Sequence, residues 1–293
     1  MKKFYELSAM LAVLVLAGCA TAIPDQVLPV PTSNAGVHKS VVGMFSGLTA
    51  TDPLGANPCP GTDIDCLTLA ASAEQHGVQP ALLLFNPEVT WTNLKAQSLA
   101  LVHGKGKGDM LVVGHSGHGG NEADDNGDEA DGLDETLILW GENGATSTVV
   151  RDDRVLAEFL MPIYEAAPWI DVLLITDTCR SKGNWRAVVD FVTQPDPEDR
   201  LLVSRAQFDA SGIKGGLIQI AMCNEDGYSY GSAFGGTGTQ ALLAIIEAKE
   251  MGRAATFLAL WAALKFSDQV PQWEEAFQSA DWDLFRNGKG FWR

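Results

Sequence analysis

Five short apolar runs, at 41–44, 81–85, 110–113, 172–175 and 217–221, are continuous rather than alternating. A strand with one wet face alternates polar and apolar residues, so continuity predicts strands buried on both faces, as in a parallel sheet covered by helices. Helix-like stretches stand between or after them, at about 64–76, 93–102, 153–164, 185–192, 239–250 and 254–266. Such alternation predicts an α/β fold: a three-layer α/β/α sandwich with a mostly parallel central sheet and right-handed crossovers.

The first residues lie outside this pattern. Lys2 and Lys3 precede an apolar stretch over 7–17 that ends in Leu16-Ala17-Gly18-Cys19. A basic start followed by a short apolar stretch has the shape of a secretory leader and is too short for a membrane span. Its end is similar to a bacterial lipobox. That resemblance implies cleavage before Cys19, a lipid on its sulfur and, with Ala20 next, an outer-membrane position facing the periplasm. The expected organisation is a leader over 1–18, a tether over 19–36 containing Pro24, Pro29 and Pro31, and one large domain over 37–293.

Net charge is −17, and removal of the leader, with its two lysines and one glutamate, leaves −18. A surface of that sign repels nucleic acid and anionic headgroups, so membrane contact is expected through the lipid alone. The acid is crowded between Glu122 and Glu135. After Cys19 the cysteines are Cys59, Cys66, Cys179 and Cys223. Cys59 and Cys66 could close a short disulfide in an exported chain, although no framework spacing supports it.

Two of the apolar runs lead into reactive side chains: Gly114-His115-Ser116-Gly117-His118-Gly119 and Ile175-Thr176-Asp177-Thr178-Cys179-Arg180-Ser181. Open α/β sheets build sites beyond the carboxyl ends of their strands. A thiol attacks as its thiolate and needs a base, which an imidazole supplies before protonating the leaving amine. The backbone N–H groups of Gly119 and Cys179 are candidates for an oxyanion hole. His115 competes with His118 for the role of base. The pair could instead ligate zinc, but no further His or Cys stands at a companion spacing. Asp177, two residues before Cys179, shares its side of the strand and suits a cationic substrate side chain.

In these motifs the chain resembles the caspase-like peptidases of the metacaspase (orthocaspase) group. The family's Ser-Gly-His-Gly stands at 116–119, which makes His118 the base. Its Asp-x-Cys-x-Ser-Gly stands at 177–181, with Lys182 where the glycine is expected. The acidic Asp-Gly-x-Asp-Glu stretch is similar to 131–135. Gly61-Thr62-Asp63-Ile64-Asp65 lines up with Gly-Cys-x-Asn-Asp, and Met222-Cys223-Asn224-Glu225-Asp226 resembles Gly-Cys-x-Asp-Asp. The resemblance implies a cysteine endopeptidase in which Asp65 and Asp177, with Cys223 and Asp226, bind an Arg or Lys side chain before the scissile bond. A monomer acting on peptide or protein substrates is expected. A peptidase of legumain or clostripain type shares the His-Gly and Cys logic but fits Asp177 and the acidic stretch less well.

The acidic stretch fails as an EF-hand, because Glu129 stands where that loop needs glycine, yet several carboxylates suit calcium's high coordination number. The resemblance implies calcium ligands at Asp134, Asp152 and Asp153, with a further family ligand falling on Arg186. That departure, and the basic segment Arg180 to Arg186, leave open a second reading: a catalytically silent caspase-like lipoprotein that binds peptides or proteins in the same groove.

Overall fold

A computed structural model describes residues 38–124, 132–143, 145–180, 214–223, 227–249, 259–260, 263–264, 272–276 and 292. The leader, Cys19, the tether, Lys182, Arg186, Asp226 and the expected helix at 185–192 lie outside the described residues, as does most of that at 254–266. Among the described residues no helix is long and apolar enough to cross a membrane.

The five apolar runs form β1 (Ser40–Gly47), β2 (Ala81–Phe85), β3 (Asp109–Ser116), β7 (Asp171–Asp177) and β8 (Leu217–Ala221). They lie parallel in the order β8-β7-β3-β1-β2, and β11 (Gln272–Ala276) adds an antiparallel edge beside β8. Two apolar layers cover the two faces. Val42, Met44, Leu111, Val113, Val172 and Leu174 pack with α2 (Trp91–Val102) and with a helical run over 152–166, called α3, that widens into a π-turn at Leu156–Leu160. Val41, Phe45, Met110, Val112, Leu173 and Ile175 pack with α1 (Thr62–Gln75) and α4 (Thr237–Lys249). Alternate residues of each strand thus meet helices on opposite sides, which is why the strand middles are almost wholly apolar. Trp292 is fully buried in the second layer, edge-on to Phe45 with ring centroids 6.2 Å apart.

A second, antiparallel sheet of β4 (His118–Ala123), β5 (Leu133–Trp140) and β6 (Ser147–Arg151) leaves the carboxyl end of β3. A two-residue pairing of β9 (Gly231–Ser232) with β10 (Gly235–Gly236) precedes α4. Chain order along the main sheet reverses between β1 and β3: β2 lies on one side, β7 and β8 on the other. The loops leaving β1 and β3 therefore diverge and open a crevice at their carboxyl ends.

The four described cysteines are free thiols. Cys66 turns into the core, its Sγ 3.0 Å from the Phe45 carbonyl, so the Cys59–Cys66 disulfide is not formed.

Candidate active site

β3 and β7 are neighbours in register, with Ser116 opposite Asp177, so the chains leaving their carboxyl ends meet. The Gly117 N–H bonds to the Asp177 carbonyl at 3.3 Å. A Cβ on Gly119 would lie 2.1 Å from the Cys179 carbonyl oxygen, so only glycine allows the strand bearing His118 to come this close. The backbone segments that carry His118 and Cys179 are thereby packed together. Immediately after the nucleophile candidate, Arg180 adopts φ 56°, a left-handed conformation that non-glycine residues seldom hold. Its N–H is fixed to the Gly227 carbonyl at 3.1 Å.

His118 Nε2 lies 2.8 Å from the carbonyl oxygen of Asn57. A carbonyl only accepts, so Nε2 carries the proton and Nδ1 is left with the free lone pair. Asn57 sits in the loop after β1, and nothing in its residue type announces this role; the signal lies in the topology that hangs the loop over the crevice. His115 is placed differently. It is buried on the α2–α3 face, with Nδ1 2.8 Å from Ser46 Oγ, and burial lowers its pKa to about 4. A neutral core histidine results.

Asp65 and Asp177 converge beneath the β9–β10 pairing. Asp177 Oδ2 accepts from the Thr239 N–H at 2.8 Å and Oγ1 at 2.7 Å, and its other oxygen accepts from Ser229 Oγ. Asp65 accepts from Ser116 Oγ at 2.7 Å and from the Gly236 N–H at 2.8 Å, with Gln240 Nε2 at 3.4 Å. Burial, reinforced by the Asp177 charge, raises the Asp65 carboxyl to about 6. Burial raises Asp177 as well, against the hydrogen bonds it accepts. Asp65 is 0% exposed and Asp177 4%, because Gly235 and Gly236 close over them. Thr239, Ser229 and Gln240 carry no motif in the sequence, and only the packing of α4 and the segment before it near the start of α1 places them here. Cys223 is fully buried and donates to the Thr178 carbonyl at 3.2 Å. That bond ties Cys223, expected in the substrate pocket, to the residue before Cys179.

The acids expected to bind calcium are Asp134 on β5 and Asp152 and Asp153 at the start of α3. Burial, then the charges of Asp153, Glu135 and Asp134, raises Asp152 to about 8. Arg151 Nε approaches Asp134 at 3.2 Å and Glu122 at 3.0 Å. The donor chemistry suits a hard cation, but among the described residues no three of these acids are gathered as a formed metal site.

A parallel sheet with this order, a small antiparallel sheet springing from β3, and a histidine and a cysteine at adjacent strand ends define a caspase-like α/β fold. Solved structures share it: a Geobacter sulfurreducens protein with TM-score 0.62 and 22% identity over 84% of this chain and 96% of that one. Caspase-1 of Spodoptera frugiperda follows at TM-score 0.52 and 11% identity, over 84% and 90%. Residues 76–186, which include His118 and Cys179, match the family described as metacaspase, peptidase C14 domain. Metacaspase-2 of Arabidopsis thaliana is 32% identical over 169 residues, 54% of this chain, and metacaspase-1 is 35% identical over 92, or 31%. The matched regions span 38% and 24% of those plant proteins.

Proposed function

We propose that the chain is a cysteine endopeptidase that cleaves after Arg or Lys. The observation that supports the reading is the close packing of Gly119, the neighbour of His118, against the Cys179 carbonyl, with His118 Nε2 2.8 Å from the Asn57 carbonyl oxygen. Nδ1 then takes the proton of the Cys179 thiol, and the thiolate attacks the scissile carbonyl. The N–H groups of Gly119 and Cys179 receive the oxyanion. His118 returns its proton to the leaving amine, and water, deprotonated by the same imidazole, hydrolyses the thioester. The paired carboxylates of Asp65 and Asp177 supply the attraction for a guanidinium or ammonium group. Gly235 and Gly236 cover these acids, so a basic side chain reaches them only when that short pairing shifts. We further propose that calcium acts as a modulator, held by Asp134, Asp152 and Asp153 and bringing together acids that repel one another. It takes no part in the bond chemistry. A lipid on Cys19 would hold the enzyme at the outer membrane.

Hydrolysis of fluorogenic Arg and Lys peptides by the purified full chain, compared with Asp peptides and with added calcium, tests the reading. Turnover confined to the basic peptides is expected. No turnover under any condition would favour the silent peptide-binding module.

A further inference from the structure

Cys59 is a thiol that neither the chemistry nor the core employs. It lies in the loop after β1, between two points fixed in the site. On one side the Asn57 carbonyl holds His118 at 2.8 Å. On the other, Gly61 lies directly against the backbone of Ser232 and Gly235, and α1 then carries Asp65 beneath Gly236. The loop is firmly built: the Cys59 N–H bonds to the Thr49 carbonyl at 2.8 Å, and its carbonyl accepts from Thr62 Oγ1 at 3.2 Å. Cys179 reaches the same segment, with Sγ 3.9 Å from the Ser229 carbonyl. Its own carbonyl abuts Gly119, the residue after His118. Cys59 and Cys179 thus stand on two segments that both pack against the strand bearing His118 or the Ser229–Gly235 segment, at the edge of the acid pocket. Burial, then the charges of Cys179, Asp177 and Asp65, raises the Cys59 thiol to about 11, which keeps it protonated while Cys179 reacts.

We propose that Cys59 is the resolving thiol of a reversible oxidative switch, in which a peroxide joins it to Cys179 as a disulfide that silences the nucleophile and protects it from further oxidation. The proposal rests on Cys179 being the reactive thiol. The Cys179 thiolate attacks hydrogen peroxide, giving a sulfenic acid and hydroxide. The Cys59 sulfur then displaces the sulfenic oxygen, its proton leaving with that oxygen as water, and the S–S bond forms. Two electrons pass from the two sulfurs to the peroxide. The first step also removes the Cys179 charge, one of the causes that hold the Cys59 proton in place. Cys66 and Cys223 are fully buried, each with its thiol directed at a backbone carbonyl.

The reduced full chain treated with hydrogen peroxide should lose the mass of two hydrogens, and non-reducing peptide mapping should show Cys59 linked to Cys179. Hydrolysis of Arg peptides should fall with cross-linking and return with a thiol reductant. In Cys59→Ser, Cys179 should gain oxygen atoms instead, and the loss should persist in reductant. Cys66→Ser should behave as the native chain. A link from Cys179 to Cys66 or Cys223, or overoxidised Cys179 beside free Cys59 in the native chain, would overturn the proposal. Because the cross-link is read by mass, a chain that cleaves Arg peptides yet forms no link overturns this switch alone, and a chain that forms the link but cleaves no peptide once reduced overturns the peptidase reading alone.

Discussion

Each residue of the site acts through what it is pressed against. Gly119 touches the Cys179 carbonyl, so Gly119→Ala must push apart the two strand ends, and loss of most peptidase activity in an otherwise folded protein is expected from turnover assays. His118→Ala should lower kcat by about 10²- to 10⁴-fold, the usual contribution of a positioned acid–base group. Asp177→Asn should reduce kcat/KM on Arg peptides by about 10- to 100-fold, chiefly through KM, because it removes a charge that pairs with the substrate. Asp65, raised to about 6, is protonated below that pH and charged above it. The pocket therefore gains charge as pH rises from about 5 to 7, and kcat/KM on basic peptides should rise in the same interval. A pH series on Asp65→Asn should lack that step. His118, Cys179 and Asp177 stand out as candidates in the sequence because each lies at or just past the end of an apolar run that announces a strand. Asn57, Ser229 and Thr239 could not, since an amide or hydroxyl in a loop or helix start carries no periodic signal and gains its role only when distant segments fold together.

At the scale of elements, the buried parallel strands were legible because burial on both faces leaves a continuous apolar run. The antiparallel sheet β4–β6 was not. β4 reads His-Gly-Gly-Asn-Glu-Ala, without alternation or β-branched residues, and forms because it pairs with β5 and is tethered to the end of β3. β11 was hidden for a similar reason, being an edge strand of Gln, Trp, Glu, Glu and Ala. At the junction of β5 and α3 the charges of Asp134, Glu135 and Asp153 act on buried Asp152, and it is where pH should act on stability. Asp152 keeps its proton to about pH 8 in the folded chain, whereas its ordinary value is 3.8. Between those values the unfolded chain has lost a proton that the folded chain retains, so stability falls as pH rises through the interval, at up to about 1.4 kcal/mol per pH unit. Thermal unfolding from pH 4 to 8 should show this decline. Asp152→Asn should flatten it, and calcium should oppose it in the native chain by favouring the ionised acids.

For the whole molecule, the reversal of chain order between β1 and β3 decides where everything functional lies. It hangs the loop carrying Asn57 and Cys59 over one side of the crevice and lets β3 and β7 deliver His118 and Cys179 to the other. Strand and helix alternation in the sequence indicated a doubly covered sheet, but strand order depends on which edges pair, and that is not written in local patterns. The leader and lipobox-like segment belong to this scale too. Cys19→Ala is expected to move the chain from the membrane to the soluble fraction of a bacterium with two membranes, as read by fractionation. The central claim is that Cys179 is the nucleophile of a peptidase selective for basic residues. Its most direct test compares the purified full chain with Cys179→Ala on fluorogenic Arg, Lys and Asp peptides, with thermal unfolding confirming that both are folded. The account predicts cleavage of the Arg and Lys peptides by the native chain and none by the variant. Cleavage that survives in Cys179→Ala, or a folded, reduced native chain that turns over no peptide with or without calcium, would contradict it.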